Sequence, residues 1–307
     1  MPALGLGTWK SAPGEVAAAV RAAIRAGYRH FDCAPIYGNE AEIGASIAGA
    51  IAGREVRREE LWITTKLWGS RHGRDNVLPA LRRSLADLRL GYADLYLIHW
   101  PVALQERIGI GYPQSAADFR TPGEAPLAAT WAGMEEAHSL GLCRNIGVSN
   151  FTIAKLERLA RTAKILPAVN QVESHPYLPQ TGLLRHCNDN GIVLTAYAPL
   201  GSGDRPARVR AADDPVLMSD EVVVDIATRH SLTPAQVLVA WAIQRGTSLI
   251  PKSTNPARLA QNIAAASVTL TDAEMSAIAG LDRGHRFFKG ALWTIEGSPY
   301  TQATLWD

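Results

Sequence analysis

The stretch LWITTKLWGSRHGRDNVLPALRRSLADLRLGYADLYLIH, residues 61–99, contains the repeating unit that decides the fold. Residues 61–66 are rich in β-forming side chains and residues 92–98 are an almost continuous apolar run, so both are predicted strands. Residues 74–90, between them, have helical spacing, and this helix is expected to stop at Gly91. Its leucines recur every three or four residues: Leu78, Leu81, Leu85 and Leu88. A strand, a helix and a strand in this order predict parallel strands joined by a right-handed crossover.

The same alternation continues from this unit toward both ends of the chain. Eight short segments have the composition of strands: residues 4–8, 28–32, 61–66, 92–98, 144–148, 168–172, 192–197 and 248–250. Helical spacing recurs between and after them: residues 15–26, 40–52, 74–90, 127–140, 152–162, 182–190, 220–229, 234–245, 256–265 and 271–279. A loop over residues 100–125, a polar loop over residues 201–215 and a tail over residues 282–307 show no periodicity.

Eight alternating units of this size predict an α/β fold of the (β/α)8 TIM-barrel type, with a parallel eight-stranded sheet. We expect one domain over residues 1–307, with two extra helices and a C-terminal tail loop over residues 282–307. The alternative is an open doubly wound sheet, which would need a Gly-x-Gly-x-x-Gly turn after its first strand. The Gly-Leu-Gly run at residues 5–7 and the Gly-Ser-Gly run at residues 201–203 both lack the third glycine, so the barrel is favoured.

Composition and charge are those of an ordinary globular chain. Of 307 residues, 47% are apolar and 20% are charged, and the formal net charge is +2. The apolar content excludes a disordered chain, and the absence of a basic stripe argues against nucleic-acid binding. Neither a signal peptide nor an apolar run of about 18 residues is present, so we expect no contact with a membrane. Cys33, Cys143 and Cys187 lie far apart without a CxxC motif, which predicts reduced thiols in a cytoplasmic protein and no metal site.

Four ionisable side chains lie at or just after the ends of consecutive predicted strands. Asp32 ends the second strand, Lys66 ends the third and His99 follows the fourth, while Tyr37 lies in the loop after the second. The C-terminal ends of barrel strands form one face, so these side chains are expected to cluster there. A lysine paired with Asp32 is expected to lower the pKa of Tyr37, so that the phenol donates a proton near neutral pH. A neutral His99 can orient a carbonyl oxygen by a hydrogen bond.

Each of these side chains also has a structural explanation when taken alone. Asp32 suits a loop or cap, Tyr37 suits a surface, and His99 suits a core position with satisfied hydrogen bonds. Their convergence at one barrel mouth favours catalysis. The set lacks a nucleophile and a carboxylate pair suited to glycoside hydrolysis, so protonation of an oxyanion is the predicted chemistry.

A second candidate site lies in IPKSTNPARLAQN, residues 250–262. Asn255 is a predicted N-cap and Pro256 suits the first position of a helix. Cations and hydroxyls border this helix start: Lys252, Ser253, Thr254 and Arg258. Free backbone N–H groups, the positive helix end and two cations suit a phosphate, whereas the alternative is a capped helix with solvated charges. Three arginines of the polar loop either fold over the same ligand or are simply solvated: Arg205, Arg208 and Arg210.

Tryptophans follow three of the predicted strand ends, and another lies in the tail. These four are Trp9, Trp68, Trp100 and Trp293. Together they are expected to line an apolar substrate pocket over the reacting carbon, with core packing as the alternative for any one of them. Trp241 lies within a helix and is predicted to be core.

Eight ordered segments of the chain resemble the aldo-keto reductases. These segments are GLGTWK, GYRHFDCAPIYGNE, LWITTKLW, DLYLIHWP, IGVSNF, NQVESHPY, AYAPLGSG and IPKSTNPARLAQN, and they span nearly the whole chain. The resemblance implies a (β/α)8 barrel that binds NADP(H) in extended form without a Rossmann turn. It also implies hydride transfer between the nicotinamide and an aldehyde or ketone.

The resemblance also assigns roles residue by residue. Tyr37 would be the proton donor, Asp32 and Lys66 would tune it, and His99 would orient the substrate. Ser149, Asn150 and Gln171 would hold the carboxamide, Tyr197 would stack on the nicotinamide, and Ser202 would contact the pyrophosphate. Lys252, Ser253, Thr254 and Arg258 would hold the 2′-phosphate, and Gln261 and Asn262 the adenine. The complete implied coenzyme set is Thr8, Trp9, Ser149, Asn150, Gln171, Tyr197, Leu200, Ser202, Lys252, Ser253, Thr254, Arg258, Gln261 and Asn262.

Three features depart from the family pattern. Met1 aligns with the start of the first barrel strand, so the N-terminal hairpin of the family is expected to be missing. Gln261 stands where a glutamate is common. The loop over residues 100–125 and the tail over residues 282–307, which set substrate choice in the family, are individual to this chain.

These observations predict an NADPH-dependent oxidoreductase that reduces aldehydes or ketones, including aldoses, to alcohols. We expect a monomeric cytoplasmic enzyme that binds small-molecule substrates. One alternative is an NADP(H)-binding regulatory subunit of the same fold with little turnover. Another is a barrel of unrelated chemistry, such as an isomerase.

Overall fold

The computed structural model describes residues 1–206 and 210–307. Within them, eight parallel strands form one sheet in chain order. The strands are β1 Leu6–Gly7, β2 His30–Asp32, β3 Trp62–Leu67, β4 Leu95–Ile98, β5 Ile146–Ser149, β6 Val169–Glu173, β7 Val193–Tyr197 and β8 Ser248–Leu249. This arrangement confirms the predicted parallel eight-stranded sheet.

Helices follow the strands along the described chain. They are α1 Glu15–Ala26, α2 Glu40–Ala52, α3 Arg74–Leu88, α4 Leu127–Ser139, α5 Ile153–Ala160, α6 Thr181–Asp189, α7 Glu221–Arg229, α8 Pro234–Gln244, α9 Pro256–Ala264, α10 Asp272–Ala279 and α11 Gln302–Leu305. Each helix predicted from periodicity is present, and its ends lie within two residues of the prediction. The curled sheet with helices between its strands is consistent with the (β/α)8 barrel of the aldo-keto reductases.

Local sequence explains where several of these helices begin and end. The apolar side chains of α1 recur on one face and are buried, and Gly27 ends the helix at a φ of 103°, which favours glycine. Asn255 caps α9 by accepting hydrogen bonds from the N–H groups of Ala257 at 2.9 Å and Arg258 at 3.1 Å. The predicted cap and the helix start at Pro256 are therefore confirmed.

Two local features differ in detail from the predictions. α3 ends at Leu88 rather than next to Gly91, because Arg89 adopts the left-handed conformation with a φ of 56°. The tail is not irregular throughout, since it contains a 3₁₀ turn, Ala291–Trp293, and the short helix α11. These two elements are held by contacts with distant loops, which periodicity does not report.

The core lies between the sheet and the helices around it. Trp241 of α8 is buried there, as predicted, with the inward faces of α1 and α2. Full burial of such an apolar side chain stabilises the fold by about 1.5–3 kcal/mol relative to its exposure. Cys33, Cys143 and Cys187 are buried free thiols.

The described residues contain neither a candidate membrane span nor a candidate metal-binding group. No helix among them has the length and apolar character needed to cross a bilayer. In the same part of the chain, His, Cys, Asp and Glu side chains form no group of three or more that could hold a metal ion.

Candidate active site

A cavity of about 380 Å³ lies at the carboxyl ends of the strands. The predicted site residues that line it are Thr8, Trp9, Asp32, Tyr37, Trp68, His99, Trp100, Ser149, Asn150, Gln171, Tyr197, Ser202 and Trp293. The predicted site residues outside this lining are Lys66, Leu200, Lys252, Ser253, Thr254, Arg258, Gln261 and Asn262. The structure therefore brings together the strand-end residues, and all of the predicted residues at the start of α9 lie outside the cavity lining.

Lys66 lies beneath the cavity and joins its polar groups. Its side chain is fully buried, and Nζ donates hydrogen bonds to Asp32 Oδ1, to the backbone oxygen of Cys33 at 3.1 Å and to Tyr37 OH at 3.2 Å. The second oxygen of Asp32 accepts a hydrogen bond of 2.7 Å from Gln171 Nε2. A buried ammonium group needs such partners, because burial without them costs several kcal/mol. The predicted pairing of Lys66 with Asp32 is confirmed.

The environment of Tyr37 keeps its phenol protonated. Burial, followed by the negative charge of Asp32, raises the pKa of Tyr37 well above its usual value near 10. The prediction that Lys66 lowers this pKa is wrong. The loss of phenolate hydration outweighs the attraction of a lysine whose charge Asp32 already balances. Tyr37 is therefore a neutral hydrogen-bond donor at physiological pH.

His99 is a second neutral group at the cavity wall. Burial, followed by the positive charge of Lys66, lowers the pKa of His99 well below its usual value near 6.5. Its ring lies edge-on to Tyr37 with centroids 5.8 Å apart and edge-on to Trp68 with centroids 5.2 Å apart. A neutral imidazole held in this way donates one N–H hydrogen bond.

Hydroxyl and amide groups from β5, β6 and β7 form the opposite wall. Ser149 Oγ donates to the backbone oxygen of Gln171 at 2.7 Å, and Asn150 Nδ2 donates to the backbone oxygen of His99 at 2.9 Å. Tyr197 OH donates to Asn150 Oδ1 at 2.8 Å. Asn150 has a φ of 65°, a left-handed conformation that asparagine tolerates better than most residues. These bonds fix the amide planes at the cavity surface.

The four predicted tryptophans, Trp9, Trp68, Trp100 and Trp293, line the cavity. Trp293 contacts Trp68 and Trp100, with ring centroids 5.6 Å and 5.3 Å apart. Two further aromatic residues of the wall were not predicted from the sequence. Tyr112 lies 5.6 Å from Trp68, and Phe288 lies 5.7 Å from Trp9, both measured between ring centroids. Tyr112 belongs to the loop over residues 100–125 and Phe288 belongs to the tail over residues 282–307. The conformation of both segments depends on contacts with residues that are distant in the sequence.

Comparison with known proteins agrees with this geometry. A sequence model of the Aldo/keto reductase family matches residues 3–283. The chain is 57% identical to an aldo/keto reductase of Synechocystis sp. over 100% of this chain and 93% of the relative. It is 44% identical to aldo-keto reductase family 1 member A1 of Mus musculus, over 97% of this chain and 90% of the relative.

This chain belongs to the aldo-keto reductase family.

A solved structure supports the same relationship. An aldo-keto reductase of Bombyx mori in complex with NADP superposes with a TM-score of 0.86 at 39% identity, covering 95% of this chain and 93% of that one. Aldo-keto reductases bind NADP(H). The cavity of this aldo-keto reductase fits that coenzyme in its chemistry. Its buried hydroxyl and amide groups can hydrogen-bond a carboxamide, and its aromatic rings can stack on a nicotinamide.

The residues beside the cavity extend this aldo-keto reductase site toward α9. Lys252 forms an isolated parallel bridge with Gly7 of the cavity lining, while Arg258 is exposed in the first turn of α9. Asn262 is buried and hydrogen-bonds the hydroxyl of Tyr28. Gln261 is exposed. The remaining helix-start and loop residues are partly or fully buried: Leu200, Ser253 and Thr254.

The loop after β7 of this aldo-keto reductase differs from the prediction of a solvated loop. Arg205 is buried and forms an ion pair with Asp214, while Arg210 is exposed and lines the cavity. Arg208 lies outside the described residues. Lys10 is a further cation that the sequence analysis missed. Its Nζ lies 2.7 Å from Asp204 Oδ1 and 3.4 Å from Ser202 Oγ, so Lys10 binds the loop after β7 at the position of Ser202.

Proposed function

We propose that this protein reduces aldehydes and ketones to alcohols with NADPH as the hydride source. The observation that carries the proposal is the buried lysine that holds both a carboxylate and a phenol. Lys66 Nζ donates to Asp32 and, at 3.2 Å, to Tyr37 OH, beside the neutral ring of His99. This set is suited to protonating a carbonyl oxygen and has no nucleophile among its members.

Tyr37 is the proposed proton donor. When bound, NADPH supplies the hydride for the carbonyl carbon. Tyr37 then transfers its hydroxyl proton to the carbonyl oxygen, which becomes the alcohol oxygen, and the resulting phenolate faces the Lys66 ammonium. General acid catalysis of this kind contributes about 10²–10⁴-fold to a rate. His99 is the proposed orienting group, since one N–H of its neutral ring can bind the same carbonyl oxygen.

We propose that the remaining polar residues hold the coenzyme. Ser149, Asn150 and Gln171 suit the carboxamide, and the Tyr197 ring suits the face of the nicotinamide. The other proposed coenzyme contacts extend from the cavity to α9: Thr8, Trp9, Leu200, Ser202, Lys252, Ser253, Thr254, Arg258, Gln261 and Asn262. The start of α9 supports a phosphate there, because the positive end of the helix dipole and two cations attract a dianion.

The aromatic wall supports apolar aldehydes as substrates. Trp68, Trp100 and Trp293 form a continuous surface next to His99 and line the cavity. Such a surface favours aromatic or medium-chain aldehydes. Aldoses are a second proposed class, since Tyr37 and His99 can also face a sugar hydroxyl.

The decay of NADPH absorbance with a panel of aldehydes and ketones tests this function. We expect oxidation of NADPH with at least the aromatic aldehydes, at a rate that depends on the carbonyl concentration. Tight NADPH binding with no oxidation by any carbonyl in the panel would contradict a reductase. It would favour an NADP(H)-binding regulatory subunit.

Removal of the two cations at the start of α9 should change coenzyme preference. In the double variant Lys252→Ala/Arg258→Ala we expect the Kd for NADPH to rise by about 10–100-fold, because two charge-assisted contacts to the 2′-phosphate are lost. NADH lacks this phosphate and is the matched control, so its Kd should change by less than about threefold. Fluorescence titration measures both constants. Equal weakening of the two coenzymes would mean that the phosphate lies elsewhere.

The pH dependence of reduction should be flat near neutrality. The pKa of Tyr37 is raised, so the proton donor stays protonated as the pH rises, and the pKa of His99 is lowered, so its ring stays neutral as the pH falls. We therefore expect kcat at saturating NADPH to vary by less than about twofold between about pH 6.5 and 9. A steep loss of kcat between about pH 7 and 8 would contradict these protonation states.

We further propose that the sheet closes into a (β/α)8 barrel between β8 and β1. Gly5 N–H donates to Leu249 O at 2.8 Å, and Gly7 N–H donates to Pro251 O at 3.1 Å. A Cβ at Gly7 would lie 2.6 Å from the backbone oxygen of Ile250, so only glycine allows this approach. One barrel domain with a substrate-loop tail over residues 282–307 is the corresponding domain proposal. The monomeric state and the cytoplasmic location stay predictions, which sedimentation and cell fractionation would test.

A further inference from the structure

Glu173 is a buried carboxylate that takes no part in the proposed chemistry. It ends β6, and none of its surface is exposed. Its Oε1 accepts the backbone N–H of Phe287 at 2.7 Å and Oε2 accepts that of Phe288 at 2.9 Å. His175 Nε2 lies 2.9 Å from Oε1. Both oxygens therefore accept N–H hydrogen bonds, as those of an ionised carboxylate do.

The Phe288 N–H, one of the two backbone groups that Glu173 binds, belongs to a residue that lines the cavity. The ring of Phe288 contacts Trp9 and Tyr197, with a centroid distance of 5.7 Å to each. All three rings line the cavity, and the residues that follow Phe288 continue the lining as far as Trp293. The hydrogen bond to the Phe288 N–H thus fixes the first aromatic residue of the tail over the cavity.

The Phe287 N–H, the other backbone group that Glu173 binds, belongs to a residue that contacts the loop after β7. The guanidinium of Arg205 lies 4.4 Å from the centroid of the Phe287 ring. Arg205 also donates to the backbone oxygens of Gly201 at 3.3 Å and Ser202 at 3.1 Å, and it forms an ion pair with Asp214. Ser202 is a proposed coenzyme contact, so the conformation of this loop depends on the position of the Phe287 ring.

We infer that Glu173 is a positioning residue that serves both ligands of the proposed reaction. It holds two adjacent backbone N–H groups, so that Phe288 forms part of the carbonyl pocket and Phe287 supports the coenzyme loop through Arg205. This inference rests on the proposed function, because it assigns the two sides of the cavity to coenzyme and carbonyl. Among the described residues, Glu173 forms no hydrogen bond or ion pair with Tyr37, Lys66 or Asp32.

Glu173→Gln is the first test, because it keeps the size of the side chain and leaves only one acceptor oxygen. One of the two tail N–H groups then faces an NH₂ group. We expect the Kd for NADPH and the KM for an aromatic aldehyde each to rise about tenfold, while kcat falls by less than about threefold. Values of Kd and KM within about twofold of the wild type would overturn the inference.

Glu274→Gln is the matched control. Glu274 is also a buried carboxylate that lies 3.0 Å from a histidine, His230, and accepts the backbone N–H of Thr271 at 3.0 Å. It belongs to α10 and lies outside the cavity lining. We expect this variant to lower the urea midpoint of unfolding as Glu173→Gln does, with Kd and KM unchanged. Equal changes of Kd and KM in both variants would reduce Glu173 to a structural role.

Phe287→Leu tests the effect on coenzyme binding separately from the effect on the carbonyl substrate. It also replaces Glu173→Gln as the test if that variant fails to fold. It keeps the Glu173 hydrogen bonds and removes the ring, which contacts the Arg205 guanidinium and the rings of His175 and His285. We expect the Kd for NADPH to rise several-fold with the KM for the aldehyde unchanged, whereas an unchanged Kd would overturn the coupling to the coenzyme loop. NADPH titration needs no turnover, so this result stands even if the wild-type protein reduces no carbonyl. In that case the proposed function fails, but the titration still shows whether Phe287 supports the coenzyme loop.

Discussion

Replacement of Tyr37 with phenylalanine is expected to lower kcat for carbonyl reduction by about 10²–10⁴-fold. The substitution removes the hydroxyl that lies 3.2 Å from Lys66 Nζ and keeps the ring that packs edge-on to His99. The Kd for NADPH should change by less than about threefold, because no proposed coenzyme contact is lost. Steady-state rates and fluorescence titration on the same preparation measure the two effects.

Tyr177→Phe is the matched control for this variant. Tyr177 is a buried tyrosine whose hydroxyl donates to the carboxylate of Asp220 at 2.8 Å, and it lies outside the cavity lining. Loss of a buried hydroxyl alone should therefore leave kcat near the wild-type value. A Tyr37→Phe protein with wild-type turnover would exclude Tyr37 as the proton donor.

Replacement of Lys66 with methionine is expected to have the largest effect on stability. It leaves the Asp32 carboxylate buried with Gln171 as its remaining side-chain donor in the described hydrogen bonds. Breaking a buried ion pair by removal of one partner costs about 3–5 kcal/mol of the free energy of unfolding. Reduction should also fall strongly, because the phenolate formed at Tyr37 loses its neighbouring cation. Urea unfolding and NADPH oxidation measure the two losses.

The double variant Asp32→Asn/Lys66→Met separates stability from chemistry. Asparagine removes the uncompensated charge and keeps an oxygen for Gln171, so most of the lost free energy of unfolding should return. Turnover should stay low, since no cation faces the phenolate. If the double variant regained wild-type kcat, Lys66 would have only a structural role.

Periodicity predicted most of the fold because the buried side of each strand or helix produces a regular spacing of apolar residues in the local sequence. The leucine spacing in α3 predicted that helix, and Asn255 with Pro256 predicted the start of α9. The convergence of the proposed catalytic residues could be predicted for a related reason. Strand ends of one parallel sheet meet at one face, so Asp32, Lys66 and His99 converge without knowledge of any loop.

The remaining features depend on contacts between distant parts of the chain. Glu173 meets Phe287 across more than a hundred residues, and no local pattern predicts such a pair. The position of Tyr112 depends on how its long loop packs against Trp68. The pKa of Tyr37 was predicted in the wrong direction because the sequence revealed the neighbouring charge but not the extent of burial. Loop conformation and burial are thus the properties that the structure adds.

Transfer of a label from NADPH to product tests the central proposal most directly. NADPH carrying deuterium at the transferable position of the nicotinamide is incubated with the wild-type protein and an aromatic aldehyde, and the alcohol is analysed by mass spectrometry. We predict one deuterium on the carbinol carbon for each NADPH consumed, with the hydroxyl proton exchanging with solvent. An alcohol without deuterium, or no alcohol at all, would contradict direct reduction of the carbonyl in this cavity.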